Sequence, residues 1–166
     1  MQQVIFIMGV SGSGKTTIGE KLAARTGFQF YDADDFHPVG NVAKMRAGIP
    51  LNDEDRWPWL NNIHNFIIKK IEDRDIIVVC SALRQAYRDI LCKGIESNCK
   101  WIMLNGDYDT IFQRLQERTG HYMPPTLLRS QFDALETPVD AITIDIRLSP
   151  ERITDIILSQ IEEPTS

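Results

Sequence analysis

At 166 residues, 43% apolar and 25% charged, the chain is sized for one domain that buries roughly 70% of its unfolded surface. A formal net charge of −5 argues against a nucleic-acid-binding face, and apolar runs as short as Val4-Ile5-Phe6-Ile7-Met8 cannot span a bilayer. That run also begins too soon after Met1 for a secretory leader, so a cytoplasmic protein is expected, with Cys80, Cys92 and Cys99 as reduced thiols that carry no chemistry.

The continuously apolar 4–8 run predicts a strand covered on both faces. It leads into Gly9-Val10-Ser11-Gly12-Ser13-Gly14-Lys15-Thr16, a G-x-x-x-x-G-K-T loop in which glycine lets successive backbone N–H groups face phosphate oxygens. Lys15 reaches the β/γ oxygens, and the Thr16 hydroxyl reaches Mg²⁺. A helix over 15–26, stopped by Gly27, adds its positive dipole end and brings Thr17 into the nucleotide contacts.

A second strand over 28–31 runs into Asp32-Ala33-Asp34-Asp35-Phe36-His37-Pro38. Alternating strand geometry would point Asp32 and Asp34 into one crevice, Asp32 toward Mg²⁺ through water and Asp34 toward an attacking hydroxyl. The alternative is a solvated acidic turn in which Asp32 or Asp35 caps a helix. Residues 41–60 follow, dense in charge, Trp, Pro and Gly. Arg46 and Arg56 suit bidentate recognition of an anionic group, with Asp53 or Asp55 accepting from sugar-type hydroxyls; the competing reading is a surface ion-pair cluster around packed tryptophans.

A helix over 57–73 carries Leu60, Ile63, Ile67, Ile68 and Ile71 on one stripe, where His64 is expected as a packed histidine satisfied by a neighbour. The third strand, 76–80, ends without the metal-binding Asp common in switch and motor NTPases, a departure that favours small-molecule kinases. Ser81 is expected to cap the next helix, 85–93, with Arg84 entering the crevice. After a strand over 101–104, a helix over 107–118 brings Arg114 and Arg118 one turn apart before a Gly/Pro-bounded segment containing His121. This reads as a lid, with Arg118 closing on the transferring phosphoryl and Arg114 stacking on adenine, or else both arginines complement the helix dipole. A helix over 126–135, a strand over 142–146 and a helix over 150–161 capped by Ser149 complete the chain, and residues 162–166 read as a frayed tail.

Five strands alternating with helices predict an α/β fold with a parallel sheet, its ligands beyond the carboxyl ends of the strands. The phosphate loop, together with DADDFHP, NVAKMRAGIPLNDEDRWPWL, CSALRQAYRD, RTGHYM and LLRSQFDALETP in that order, resembles the gluconokinases of the P-loop carbohydrate kinases over nearly the whole chain. The resemblance implies a three-layer α/β/α P-loop kinase domain over 1–166, like the nucleoside monophosphate kinases, with a lid near 119–126 and a substrate region near 32–60. It further implies ATP with Mg²⁺, phosphorylation of D-gluconate to 6-phosphogluconate, and a homodimer. By position Gly9 to Thr16 hold ATP, Asp34 partners the acceptor hydroxyl, Arg56 and Arg84 contact the gluconate carboxylate or the phosphoryl, His37 and His121 join the substrate contacts, and Arg147 borders the adenine. A related kinase acting on shikimate or another sugar acid is the alternative. A nucleotide switch is disfavoured because the chain has no N-K-x-D segment and no D-x-x-G sensor.

Overall fold

The computed structural model describes residues 1–118 and 124–161. His121, most of the expected lid and the tail therefore lie outside the described residues. Five strands, β1 (Val4–Met8), β2 (Gln29–Asp32), β3 (Ile76–Val79), β4 (Cys99–Asn105) and β5 (Ile142–Asp145), form one parallel sheet in the order β2-β3-β1-β4-β5. The helices are α1 (Lys15–Thr26), α2 (Val39–Arg46), α3 (Asp53–Lys70), α4 (Gln85–Leu91), α5 (Tyr108–Glu117), α6 (Pro125–Ala134) and α7 (Pro150–Ile161).

All five residues of β1 are buried because alternate side chains enter opposite layers. Val4, Phe6 and Met8 join the apolar residues of α3 and α4, including Leu60, Ile63, Ile67 and Leu91, while Ile5 and Ile7 join those of α1, α5, α6 and α7. Phe6 also stacks on Trp101 of β4, centroids 4.1 Å apart. The chain leaves β1 toward one side of the sheet and later crosses it to reach β4, so the β1 end lies at the switch point where α/β sheets bind ligands.

Three local expectations are corrected. The second strand ends at Asp32, and residues 33–36 form a 3-10 turn whose first N–H groups Asp32 caps, its Oδ1 accepting from Asp34 N at 2.9 Å; the capping alternative therefore describes Asp32, and Asp34 does not continue the strand. The long helix starts at Asp53 rather than 57, because Asn52 and Asp55 form a capping box with bonds of 2.8 and 3.0 Å. The cap residue of α4 is Arg84, not Ser81. Helix α2 was not anticipated: only Asn41 is buried along it, so it carries no apolar stripe. His64 behaves as expected, its Nδ1 3.0 Å from the Leu91 carbonyl, and Ser149 Oγ accepts from Arg152 N at 3.2 Å at the start of α7.

Candidate active site

A cavity of about 640 Å³ opens at the carboxyl end of the sheet, between the β1–α1 loop, the turn after β2, the end of β3, and helices α5 and α6. Its floor is the phosphate loop. Gly9 has φ 151°, and a Cβ there would lie 2.9 Å from the Leu104 carbonyl oxygen; Gly12 has φ 80°, and a Cβ there would meet Leu115 at 2.8 Å. Both positions therefore require glycine on backbone and packing grounds. Lys15 Nζ donates to the carbonyls of Gly9 and Val10, each at 3.0 Å, which folds its side chain back over the loop. Burial pushes its pKa below the ordinary lysine value against the opposing pull of Asp34.

This loop fits a triphosphate. Lys15, Thr16 and Thr17 supply the unpaired first-turn N–H groups of α1, whose cap Gly14 has φ 97°. The Ser13 hydroxyl is buried with no hydrogen-bond partner. For a divalent cation, the Thr16 hydroxyl and Asp32 are the oxygen donors on this wall, and both line the cavity. Among the described residues no group of three or more His, Cys, Asp or Glu gathers as a self-sufficient metal cage, and the end of β3 carries Cys80 and Ser81 in place of a carboxylate. Desolvation raises the Asp32 carboxyl above its usual pKa.

Across the cavity stands Asp34, on the 3-10 turn. Its side chain is 72% exposed, facing the cavity space, and lies 3.5 Å from His37 Nε2. The His37 ring edge, helped by the charge of Lys15, holds Asp34 below the usual carboxylate range. Arg46, Arg56 and Arg118 also line the cavity. Arg56 is held in place by Tyr87, donating to its hydroxyl at 3.0 Å with the guanidinium 5.2 Å from the ring centre. The Tyr87 hydroxyl in turn donates to Asp53.

Other expected contacts fall elsewhere. Asp53 is engaged by Tyr87, and Asp55 by the α3 cap and by Lys44 at 2.8 Å, so neither lines the cavity. Arg84 is exposed at the start of α4 and is not among the residues that line the cavity. Arg114 donates to the Ile146 carbonyl at 2.7 Å, and Arg147 forms a bidentate pair with Asp145; both sit beside the end of β5, outside the cavity lining. His37 lines the cavity with only 3% of its side chain exposed.

Sequence reasoning missed Gln131. From α6 its Oε1 accepts from Ser11 N at 2.8 Å and its Nε2 donates to Ser11 Oγ at 3.0 Å, tying the helix that follows 119–123 to the phosphate loop. Arg88 was missed as well. Buried, it donates to the carbonyls of Ala82 at 2.6 Å and Glu136 at 2.8 Å, and thereby steadies Ala82, which has φ 44°. No local pattern announces the Gln131–Ser11 or Arg88–Glu136 contact, since the partners are 120 and 48 residues apart.

The shikimate kinase family model matches residues 11–162. A thermosensitive gluconokinase of Escherichia coli is 48% identical over 156 residues, covering 90% of this chain and 82% of that protein. The crystal structure of a gluconokinase from Sinorhizobium meliloti superposes with a TM-score of 0.84 at 37% identity, covering 95% of this chain and 90% of that one. An unliganded sugar kinase from Janibacter gives a TM-score of 0.90 at 40% identity, covering 98% and 95%. Such identity over nearly the full length of both partners, on a shared phosphate-loop architecture, means that the chain belongs to the gluconokinase family within the shikimate kinase-type P-loop proteins.

Proposed function

We propose that this protein transfers the terminal phosphoryl of ATP to the terminal hydroxyl of D-gluconate, giving 6-phosphogluconate and ADP. The observation that carries the reading is the convergence in one cavity of a phosphate loop, the Asp34 carboxylate and three arginines. One wall suits a triphosphate, and the opposite wall suits an anionic polyol. The family relationship narrows that polyol to gluconate.

The phosphate-loop amides and Lys15 hold and neutralise the β/γ oxygens, while Arg118, at the end of α5, answers the charge that spreads over the transferring group. Arg46 and Arg56 are the cationic partners for the gluconate carboxylate. Asp34 accepts the hydrogen bond of the acceptor hydroxyl and aims its oxygen along the line of the breaking bond. As the new O–P bond forms and the bridging bond to ADP breaks, the hydroxyl proton passes to Asp34 and on to water. Thr16 and, through water, Asp32 would hold Mg²⁺, which would supply charge neutralisation to the phosphates. Residues 119–126 act as the lid and 32–60 as the substrate wall of a single kinase domain, and the protein works in the cytoplasm as a homodimer, without nucleic-acid or membrane partners. Among the described residues no helix is long and apolar enough to cross a membrane.

The test is a coupled ADP-release assay with ATP and Mg²⁺ across gluconate, shikimate, glucose and nucleoside monophosphates. Substantial turnover is expected with gluconate alone. Comparable rates with shikimate or glucose, or ADP release that ignores the acceptor, defeat the proposal.

A further inference from the structure

The hydrogen bonds around His37 leave its ring one arrangement of the proton. Asn41, 5% exposed, sets Nδ2 2.9 Å from the Asp55 carbonyl oxygen and 3.2 Å from His37 Nδ1. A main-chain carbonyl only accepts, so the Asn41 atom facing it is the amide nitrogen, and the orientation of the amide is decided. The same nitrogen then meets Nδ1 as a donor, which requires Nδ1 to be bare and places the ring proton on Nε2. That edge faces Asp34 Oδ1 at 3.5 Å. The ring plane is fixed too: Trp59 stacks on it at 4.2 Å and 13°, and Trp59 is itself pinned by donating Nε1–H to the Ala33 carbonyl at 2.7 Å.

We infer that His37 is a positioning residue: Asn41 fixes its tautomer, and its Nε2–H donates to Asp34 so that the carboxylate presents its other oxygen to the acceptor hydroxyl. A donor already committed in this way cannot itself take the hydroxyl proton, which leaves that task to Asp34. At 3.5 Å the contact is long for a hydrogen bond, as catalytic contacts commonly are until substrate is bound. Asn41, set in the NVAKM segment, has the task of choosing the tautomer. The inference rests on the reading of Asp34 as the partner of the acceptor hydroxyl.

Protein labelled with ¹⁵N-histidine contains three such residues, and His37→Gln identifies the signal of His37. Long-range ¹H–¹⁵N spectra at neutral pH are expected to show a protonated Nε2 and a bare Nδ1. A proton on Nδ1, alone or with one on Nε2, overturns the inference. In steady-state assays His37→Phe, which keeps a ring against Trp59 but removes the donor, is expected to lower kcat about tenfold with the KM for ATP changed less than about twofold. His37→Gln, whose amide restores an N–H toward Asp34 and an acceptor toward Asn41, is expected to recover most of that loss. A Gln variant as slow as the Phe variant, or an ATP KM that rises in step with the fall in kcat, also overturns it. If the Phe variant does not fold, the Gln variant and the spectrum decide. Normal turnover by Asp34→Asn defeats the reading of Asp34 while the spectrum still reports the tautomer on its own.

Discussion

Asp34 is a weak base by design. A carboxylate held below its ordinary pKa by His37 is a poor base toward the free hydroxyl, so its main service is orientation, and the proton passes to it only as the new O–P bond forms and makes the hydroxyl acidic. Lys15→Met and Asp34→Asn are each expected to lower kcat at least ~100-fold in the ADP-release assay, in line with phosphate-clamp and hydroxyl-orienting roles. The same depressed pKa has a linked effect on stability. The folded state binds this proton more weakly than the unfolded chain, so ionised Asp34 favours folding above the unfolded carboxyl value of about 3.9, and the contribution vanishes as pH falls through the lower folded value. Denaturant midpoints of wild type and Asp34→Asn should therefore converge on acidification; a gap that widens toward low pH contradicts the assignment. At this scale the phosphate loop was fully legible, because every residue type in it answers a covalent or conformational need. The arginines were only half legible: guanidinium chemistry marks Arg46, Arg56, Arg84, Arg114 and Arg147 alike, but Tyr87 aims Arg56 inward while Ile146 and Asp145 take Arg114 and Arg147. Burial raises the Cys80 thiol to about 12, so it stays protonated where it lines the cavity.

Helix α6 is the element whose role emerges only in three dimensions. Arg129 lies over the Tyr108 ring at 3.9 Å and Phe132 meets the same ring edge-on at 5.7 Å, so aromatic and cationic packing locks α6 to α5. Gln131 then carries that rigid pair to the phosphate loop through two bonds. Two neutral hydrogen bonds of this kind are each worth about 1 kcal/mol net. Gln131→Met, similar in volume but without the amide, is expected to weaken ATP binding on the order of tenfold by calorimetric titration without acceptor, with the KM for gluconate little changed. Unaltered ATP affinity would show that the loop holds its shape alone. Helices with a strong apolar period were legible to within a few residues, α1 and α7 at both ends. Helix α2 was not, because its fold depends on Asn41 bonding to neighbours rather than on a stripe of apolar side chains, and the turn at 33–36 replaced the extended geometry expected to align Asp34 with Asp32 because a run of short acids competes for backbone N–H groups.

Over the whole molecule, the parallel sheet sandwiched between helices was legible from alternation and apolar runs, whereas the strand order was not, since several orders satisfy the same pattern. The outer surface contributes little to holding the layers together. The bridges from Lys21 to Glu151 at 3.1 Å and from Arg25 to Asp155 at 3.2 Å join α1 to α7, but they stand in solvent and are screened by salt. Replacing Glu151 by Gln and Asp155 by Asn together is expected to move Tm by no more than about 2 °C; a larger drop by differential scanning calorimetry would mean that these pairs matter more than their exposure allows. The pairing of β1 has a different reach. Both of its edges bond to strands that come far later in the chain, β3 on one side and β4 on the other, and such distant pairings are slow to form. A nascent polypeptide leaving the ribosome therefore carries its nucleotide-anchoring turn on a first strand that has no partner until translation has passed Val79, and only one until it has passed Asn105.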